Sequence, residues 1–373
     1  STSGSSSSLR KRKVLVKEMT QVPDDYVLGG NQTDFALNWS NEKKHFVAMM
    51  REAVLGALAE TKVEPNEIEV PHTGTFAAEL YSKKGHLGAF FLEIDPAFSG
   101  LPTSRHEAAC ASGSLAIQAA SAEIEAHRYD LACVVGVEQM KTVGAGEGGD
   151  FLGTAAWYEL EAKGIEFPFP KLFGKLGDEY DKRYGLKDEH LAEISTINSA
   201  NAKLNPNAQT RTWYMNYDHA MSRDEFNGTI GGRIHISDCS QVTDGAVAVL
   251  LASPEYAKKW ADRNGLSLAD IPRIKGWGHN TARIRFEDKV AESANDDYVL
   301  PHVRSTVQSA MKRAGIADVS GIDAIETHDC FTTSEYMAID HFGLTAPGQS
   351  WKAVESGEIA LGGKTPINPS GGL

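Results

Sequence analysis

Residues 106–140 read HEAACASGSLAIQAASAEIEAHRYDLACVVGVEQM, and the fold is decided here. The stretch divides into a Cys among small residues, a helix rich in Ala and Ser over about 110–126, a turn at 128–130, and an apolar run at 131–135. That run has the length and β-branching of a buried strand. Cys110 therefore falls where a loop enters a helix. Unpaired backbone N–H groups and the helix dipole favour an anion at that point, so the thiol is expected to ionise more readily than usual and to act as a nucleophile. The competing reading is a structural Cys in a tightly packed helix, because free Cys is among the most buried residue types. The residues by themselves leave both readings open.

Upstream, 26–30 reads as a short strand, 42–60 as a helix with Phe46, Met49, Met50, Val54, Leu55 and Leu58 near helical spacing, and 68–73 as a second strand. This alternation predicts an α/β lobe with a mostly parallel sheet. Gly29-Gly30-Asn31-Gln32 does not fit the dinucleotide pattern GxGxxG. After Met140 the composition shifts to Gly and Pro clusters, aromatics and short helices at 179–184 and 189–203, with 167–170 (Phe-Pro-Phe-Pro) as a rigid extended piece. We read 141–234 as an insertion folded over the lobe. The segment 238–246 leads back into a strand at 247–252. Nothing beside Cys239 supplies a base, so it is given a structural role, and Asp238 and Asp244 read as turn and cap residues. A second lobe is expected from 273, with a helix at 303–314 closed by Gly315. A strand at 323–327 then delivers His328-Asp329-Cys330-Phe331, and a helix follows at 332–342. Catalytic groups in such sheets sit past the carboxyl ends of strands.

Glu107-Ala-Ala-Cys-Ala-Ser-Gly-Ser114, followed by Gly136-Val-Glu-Gln-Met140, resembles the CxS segment of thiolases. His328-Asp329-Cys330-Phe331 resembles the HDCF loop of the SCP2-thiolase branch, where other thiolases carry NEAF. The resemblance runs from about Tyr26 to Leu373. It implies an α/β fold of two βαβαβαββ lobes in a layered α/β/α/β/α core, with an inserted loop domain. The lobes would comprise 26–140 plus 235–272 and 273–373. Activity on acyl-CoA is implied, with coenzyme A as substrate and no permanently bound cofactor, and assembly as a homodimer or homotetramer.

The chemistry that follows is thiolytic cleavage of a 3-ketoacyl-CoA or the reverse Claisen condensation. Cys110 would carry the acyl group, Cys330 would move protons as a thiol of pKa about 8.5, and His328 would hold the oxyanion. Two other readings differ in class. One is a retro-aldol lyase of steroid side-chain CoA esters, which needs no nucleophilic Cys. The other is a thiolase-like scaffold without activity. The chain stops at Asn368-Pro-Ser-Gly-Gly-Leu373, where thiolases continue into a GHP loop, so a truncated record of a longer chain is expected.

The 373 residues suit two lobes. A net charge of −13 disfavours a nucleic-acid partner. No run of eighteen apolar residues suggests a membrane span. Four Cys at no disulfide-like spacing indicate a reducing compartment, cytoplasmic or organellar (mitochondrial or peroxisomal), and no CxxC pair or His cluster suggests a metal. An anionic coenzyme A needs local cations, for which Lys171, Lys175, Arg211 and Arg233 are candidates. Residues 1–25 read as a disordered leader, a tag remnant, or an Arg/Ser-biased transit peptide.

Overall fold

The computed structural model describes residues 24–373, so the leader reading falls almost wholly outside the described residues. The strands are β1 (Asp25–Gln32), β2 (Val70–Gly74), β3 (Ser104–His106), β4 (Leu131–Gln139), β5 (Thr229–Gly231), β6 (Ile234–His235), β7 (Asp244–Ala252) and β8 (Arg273–Ile274). The helices are α1 (Phe46–Thr61), α2 (Ala78–Ser82), α3 (Ser112–Glu125), α4 (Ala145–Leu152), α5 (Pro168–Tyr184), α6 (Asp188–Ala202), α7 (Tyr217–Met221), α8 (Pro254–Asn264), α9 (Phe286–Glu292), α10 (Pro301–Ala314), α11 (Thr332–Phe342) and α12 (Ser350–Glu355).

A six-stranded sheet runs in the order β3-β2-β4-β7-β1-β8, and β5 pairs with β6. β2 lies parallel to β3 and β4, whereas β7 is antiparallel to both β4 and β1. The sheet is thus mixed rather than mostly parallel, because the chain leaves it after β4 and returns along β4 in the reverse sense. Side chains alternate across β4 as a pleated strand requires. Leu131, Cys133, Val135 and Val137 face α1, Met49, Met50 and Phe91. Ala132 and Val134 face Ala116, Ala120 and Ile124 of α3. The small residues of α3 let it lie close on the sheet. A Cβ added at Gly74 would come within 2.8 Å of the Ser112 carbonyl oxygen and 2.9 Å of the Gly113 Cα. Glycine at that position is what allows the start of α3 to rest on the end of β2.

A second apolar core joins α5 and α6 to α11 and α12, through Leu176, Tyr180, Leu191, Ile194, Tyr336 and Ile339 among others. Two local expectations are corrected. Residues 167–170 are not an extended piece: Phe167 adopts a left-handed conformation with φ of 50°, and Pro168 begins α5. Proline presets a helical φ, and its missing N–H has no intrahelical partner in the first turn anyway. The strand expected at 323–327 is reduced to a single bridge between Ile325 and Ile367. Its partner segment supplies two backbone hydrogen bonds to Ile325, through the Pro366 carbonyl at 2.9 Å and the Asn368 N–H at 2.8 Å. Helix α11 has the limits expected for it, and Gly315 ends α10 at φ 71°.

Candidate active site

Cys110 lies between the end of β3 and the start of α3. The loop is tied by Ser112, whose hydroxyl accepts from the Ala108 N–H (3.0 Å) and donates to the Ala109 carbonyl (2.6 Å). Ala109 takes φ 49°, a strained value for a residue with a Cβ. Behind the loop stands Glu138, near the end of β4. Its carboxylate accepts from the Phe76 N–H (2.8 Å), the Ala77 N–H (3.3 Å) and the Thr75 hydroxyl (3.2 Å).

Cys110 is exposed to solvent, yet protein crowds it on its other sides. Burial, and secondarily the charge of Glu138, push its thiol above the ordinary value. This reverses the expected ease of ionisation. The first helical residue is Ser112, not Cys110, so the thiol stands short of the helix terminus, whose field fades within the first turn. The Cys110 thiolate is therefore scarce at neutral pH. Alkylation of Cys110 by iodoacetamide should rise about tenfold per pH unit from pH 7 to 9. A plateau in that interval would contradict the upward shift.

The loop at 328–330 arrives from the other side. Phe331 is buried and its ring packs on Phe173 of α5, with centroids 4.7 Å apart and planes at 33°. The segment before β7 holds the loop backbone: Cys239 forms a bridge with Phe331, and the Ser240 N–H donates to the Cys330 carbonyl at 3.0 Å. The Thr332 hydroxyl donates to Asp238 at 2.7 Å, and Asp238 also accepts from the His235 N–H at 2.9 Å. Asp244 accepts from the Lys141 N–H at 2.8 Å and the Trp39 N–H at 3.2 Å. Asp238 and Asp244 thus tie turns, as residues of their type and placement are expected to. The Cys239 thiol donates to the His235 carbonyl at 3.3 Å, and burial raises it to about 12.

Burial and then the charge of Cys110 push the Cys330 thiol far above its ordinary range. The expectation of a thiol near 8.5 is corrected accordingly. The two Cys are 220 residues apart in sequence, yet the charge of Cys110 is among the influences on the Cys330 thiol. His328 is exposed at its surface, and the protein around it lowers its imidazole below the usual value. It is neutral at pH 7, with an N–H to donate.

A cavity of about 240 Å³ opens beside this loop, lined by Asn198, Trp213, Cys239, Ser240, Asp329 and Thr332 among others. Of the cations considered from sequence, Arg211 pairs with Asp34 (2.9 Å) and Arg233 with Asp178 (3.1 Å) and Asp181 (2.8 Å), whereas Lys171 and Lys175 are exposed on α5. His106 turns away from Cys110 into a cluster of its own. Its Nε2 lies 2.9 Å from both His72 Nδ1 and the Ser104 hydroxyl, and Glu123 lies 3.2 Å from the other nitrogen of His72.

Sequence reasoning missed Glu138, which holds the 75–77 backbone near Cys110, and Asn198, Glu335 and Asn368, which lie under the 328–330 loop. The Glu138 signal was present in principle, since a carboxylate at the end of an apolar strand calls for nearby donors. Asn198 and Glu335 lie on helices whose pairing no spacing reveals.

The match to known proteins follows this architecture. The model of the thiolase N-terminal domain matches residues 26–212, and that of the thiolase C-terminal domain-like family matches 286–373. The acetyl-CoA acetyltransferase of Methanothermobacter thermautotrophicus is 29% identical over 351 residues, covering 94% of this chain and 85% of that protein. Sterol carrier protein 2 of Rattus norvegicus is 25% identical over 360 residues, covering 95% of this chain and 62% of that protein. Among solved structures, the Ltp2-ChsH2(DUF35) aldolase superposes with a TM-score of 0.70 at 21% identity, over 94% of this chain and 85% of that one. A monomeric SCP2-thiolase like protein type 1 from Mycobacterium smegmatis superposes at 0.63 and 16%, over 94% and 66%. At these identities the two structures speak to the fold alone.

The chain belongs to the thiolase superfamily, a class of α/β acyltransferase enzymes. Within it, the chain is similar to sterol carrier protein 2 along 95% of its length. Among the described residues, no helix is long and apolar enough to cross a membrane.

Proposed function

We propose that the protein is an acyl-CoA thiolase that works through an acyl-Cys110 intermediate. The observation that supports this reading is that Cys110, at the entrance to α3, and the loop at 328–330 share electrostatic surroundings although 220 residues separate the two Cys, since the charge of Cys110 is among the influences that raise the Cys330 thiol. The Cys110 thiolate attacks the C3 carbonyl of a 3-ketoacyl-CoA, and His328 donates its N–H to the oxyanion. The C2–C3 bond breaks, its electron pair passes to C2, and the Cys330 thiol protonates that carbon to release acetyl-CoA. Incoming coenzyme A gives its thiol proton to the Cys330 thiolate and takes the acyl group, which frees Cys110. A Cys330 thiol held protonated suits the acid role in the first half. Its conjugate thiolate is a strong base for the second half. In the condensation direction the same steps run in reverse.

The cavity beside the 328–330 loop is the proposed approach for the pantetheine arm, with Lys171 and Lys175 the available cations for the phosphates. Assembly as a homodimer or homotetramer belongs to the same reading. The test is incubation with acetyl-CoA followed by mass spectrometry of tryptic peptides. An acetyl adduct on the Cys110 peptide is expected. Its absence with every acyl-CoA tried would turn the assignment toward the lyase, whose chemistry needs no acyl-Cys.

A further inference from the structure

Beneath the 328–330 loop, two carboxylic acids are buried against one amide. Asn198 of α6 donates one N–H to Asp329 Oδ2 at 2.9 Å and the other to Glu335 Oε2 at 2.6 Å. Glu335, in the first turn of α11, is fully buried, and its Oε2 also accepts from Asn368 Nδ2 at 2.9 Å. Asp329 Oδ1 accepts from the Leu373 N–H at 2.9 Å, and Asn368 Oδ1 accepts from the Thr327 N–H at 2.8 Å. One small network therefore connects α6, α11, the 366–373 segment and the loop that carries Cys330.

Two atoms in this network have no partner among the described residues, and both are buried acceptors: Glu335 Oε1 and Asn198 Oδ1. They belong to side chains already joined through Oε2 and Nδ2. A buried polar atom without a partner is destabilising. Turning the Asn198 amide over does not help, because its oxygen would then face two carboxylates. The charges acting on Glu335 are those of Asp329 and Glu326, both acidic. Glu326 is engaged by the Ser370 N–H (2.9 Å) and hydroxyl (2.8 Å). Among the described residues no Lys, Arg or His forms an ion pair with Asp329 or Glu335. Two carboxylates so placed, without a cation, do not both ionise.

We propose that Glu335 carries a proton on Oε1 at neutral pH and forms a two-bond acid–amide pair with Asn198, and that this neutral pair is the positioning device for the Cys330 loop. The proton satisfies both orphaned oxygens at once. It also leaves Asp329 as the single charge of the pair, held against Asn198 one residue before Cys330. Ionisation of Glu335 removes the second bond and adds a charge below the loop, so the proton-transfer role of Cys330 should decline with it. This last consequence rests on the acyl-transfer reading above.

The burial that favours the neutral form raises Glu335 to about 8, against about 6 for Asp329. Infrared spectra of the wild-type protein should show a protonated-carboxyl stretch at pH 7 that titrates away around pH 8 and is missing in Glu335→Gln. Wild-type thermal stability should fall as pH rises from about 4.5 to about 8, because the folded state binds this proton more tightly than the unfolded chain does. In Glu335→Gln, whose amide reproduces both bonds, that slope should flatten and the alkaline decline of turnover should move to higher pH. Failure of the wild-type band to titrate near pH 8, or its persistence in the variant, overturns the proposal. Should Glu335→Gln not fold, the wild-type titration decides, since the neighbouring Asp329 titrates about two units lower. If instead no acyl adduct forms on Cys110 while the infrared result holds, the acyl-transfer reading fails and the acid–amide pair stands.

Discussion

In Cys110→Ala the proposed acyl adduct should disappear and thiolytic turnover should fall by about 10³-fold or more. A covalent nucleophile has no substitute within a single attack, so its loss removes the two-step route rather than slowing one part of it. The measurement is initial-rate thiolysis of a short 3-ketoacyl-CoA, followed at the loss of its enolate absorbance, with intact-mass analysis beside it. The substitution itself is mild for the fold, because Cys110 is exposed and its thiol anchors no neighbouring strand. The loop geometry depends on Ser112, which remains. Loss of turnover accompanied by unfolding would therefore be an unexpected result. Turnover within tenfold of wild type would remove Cys110 as the nucleophile.

Cys330→Ala separates the two halves of the chemistry. The Cys110 thiol is still present, and it is relieved of a neighbouring thiol, so acylation by acetyl-CoA should persist. Steady-state turnover should drop by about 10²–10⁴-fold, the usual contribution of a positioned acid or base. Normal turnover in this variant would take Cys330 out of the mechanism. Loss of acylation as well would mean that Cys330 supports Cys110 rather than the departing carbon.

Local structure was open to reading wherever a segment's own side chains decide it. The alternation within β4 is written in Leu131, Cys133 and Val135 against Ala132 and Val134, and the structure places each set on its own face. Gly315 stops α10 and Pro301 starts it for reasons internal to the backbone. The thiolase family, too, was legible, because its two short Cys motifs are fixed in order and spacing. Where a segment depends on partners far along the chain, the reading failed. The run at 323–327 has strand composition, but a strand needs a ladder, and here it finds one bridge. The Phe-Pro-Phe-Pro piece carries an extended pattern, but Pro168 instead takes the first helical position of α5, and farther along that helix Phe173 packs on Phe331 of the distant loop.

The sequence by itself determined the central strands, the helix behind Cys110, the limits of α11 and the family. Each of these follows from side-chain periodicity or from the conformational limits of Gly and Pro, which act within a few residues. Only the tertiary structure decided the protonation of the site. Cys110, Cys330 and Glu335 all have their proton affinities raised first by burial, and then by charged neighbours such as Glu138 for Cys110, Cys110 for Cys330 and Asp329 for Glu335. Electrostatic free energy depends on distance and on the removal of water, and neither is set until the two halves of the chain have closed on each other.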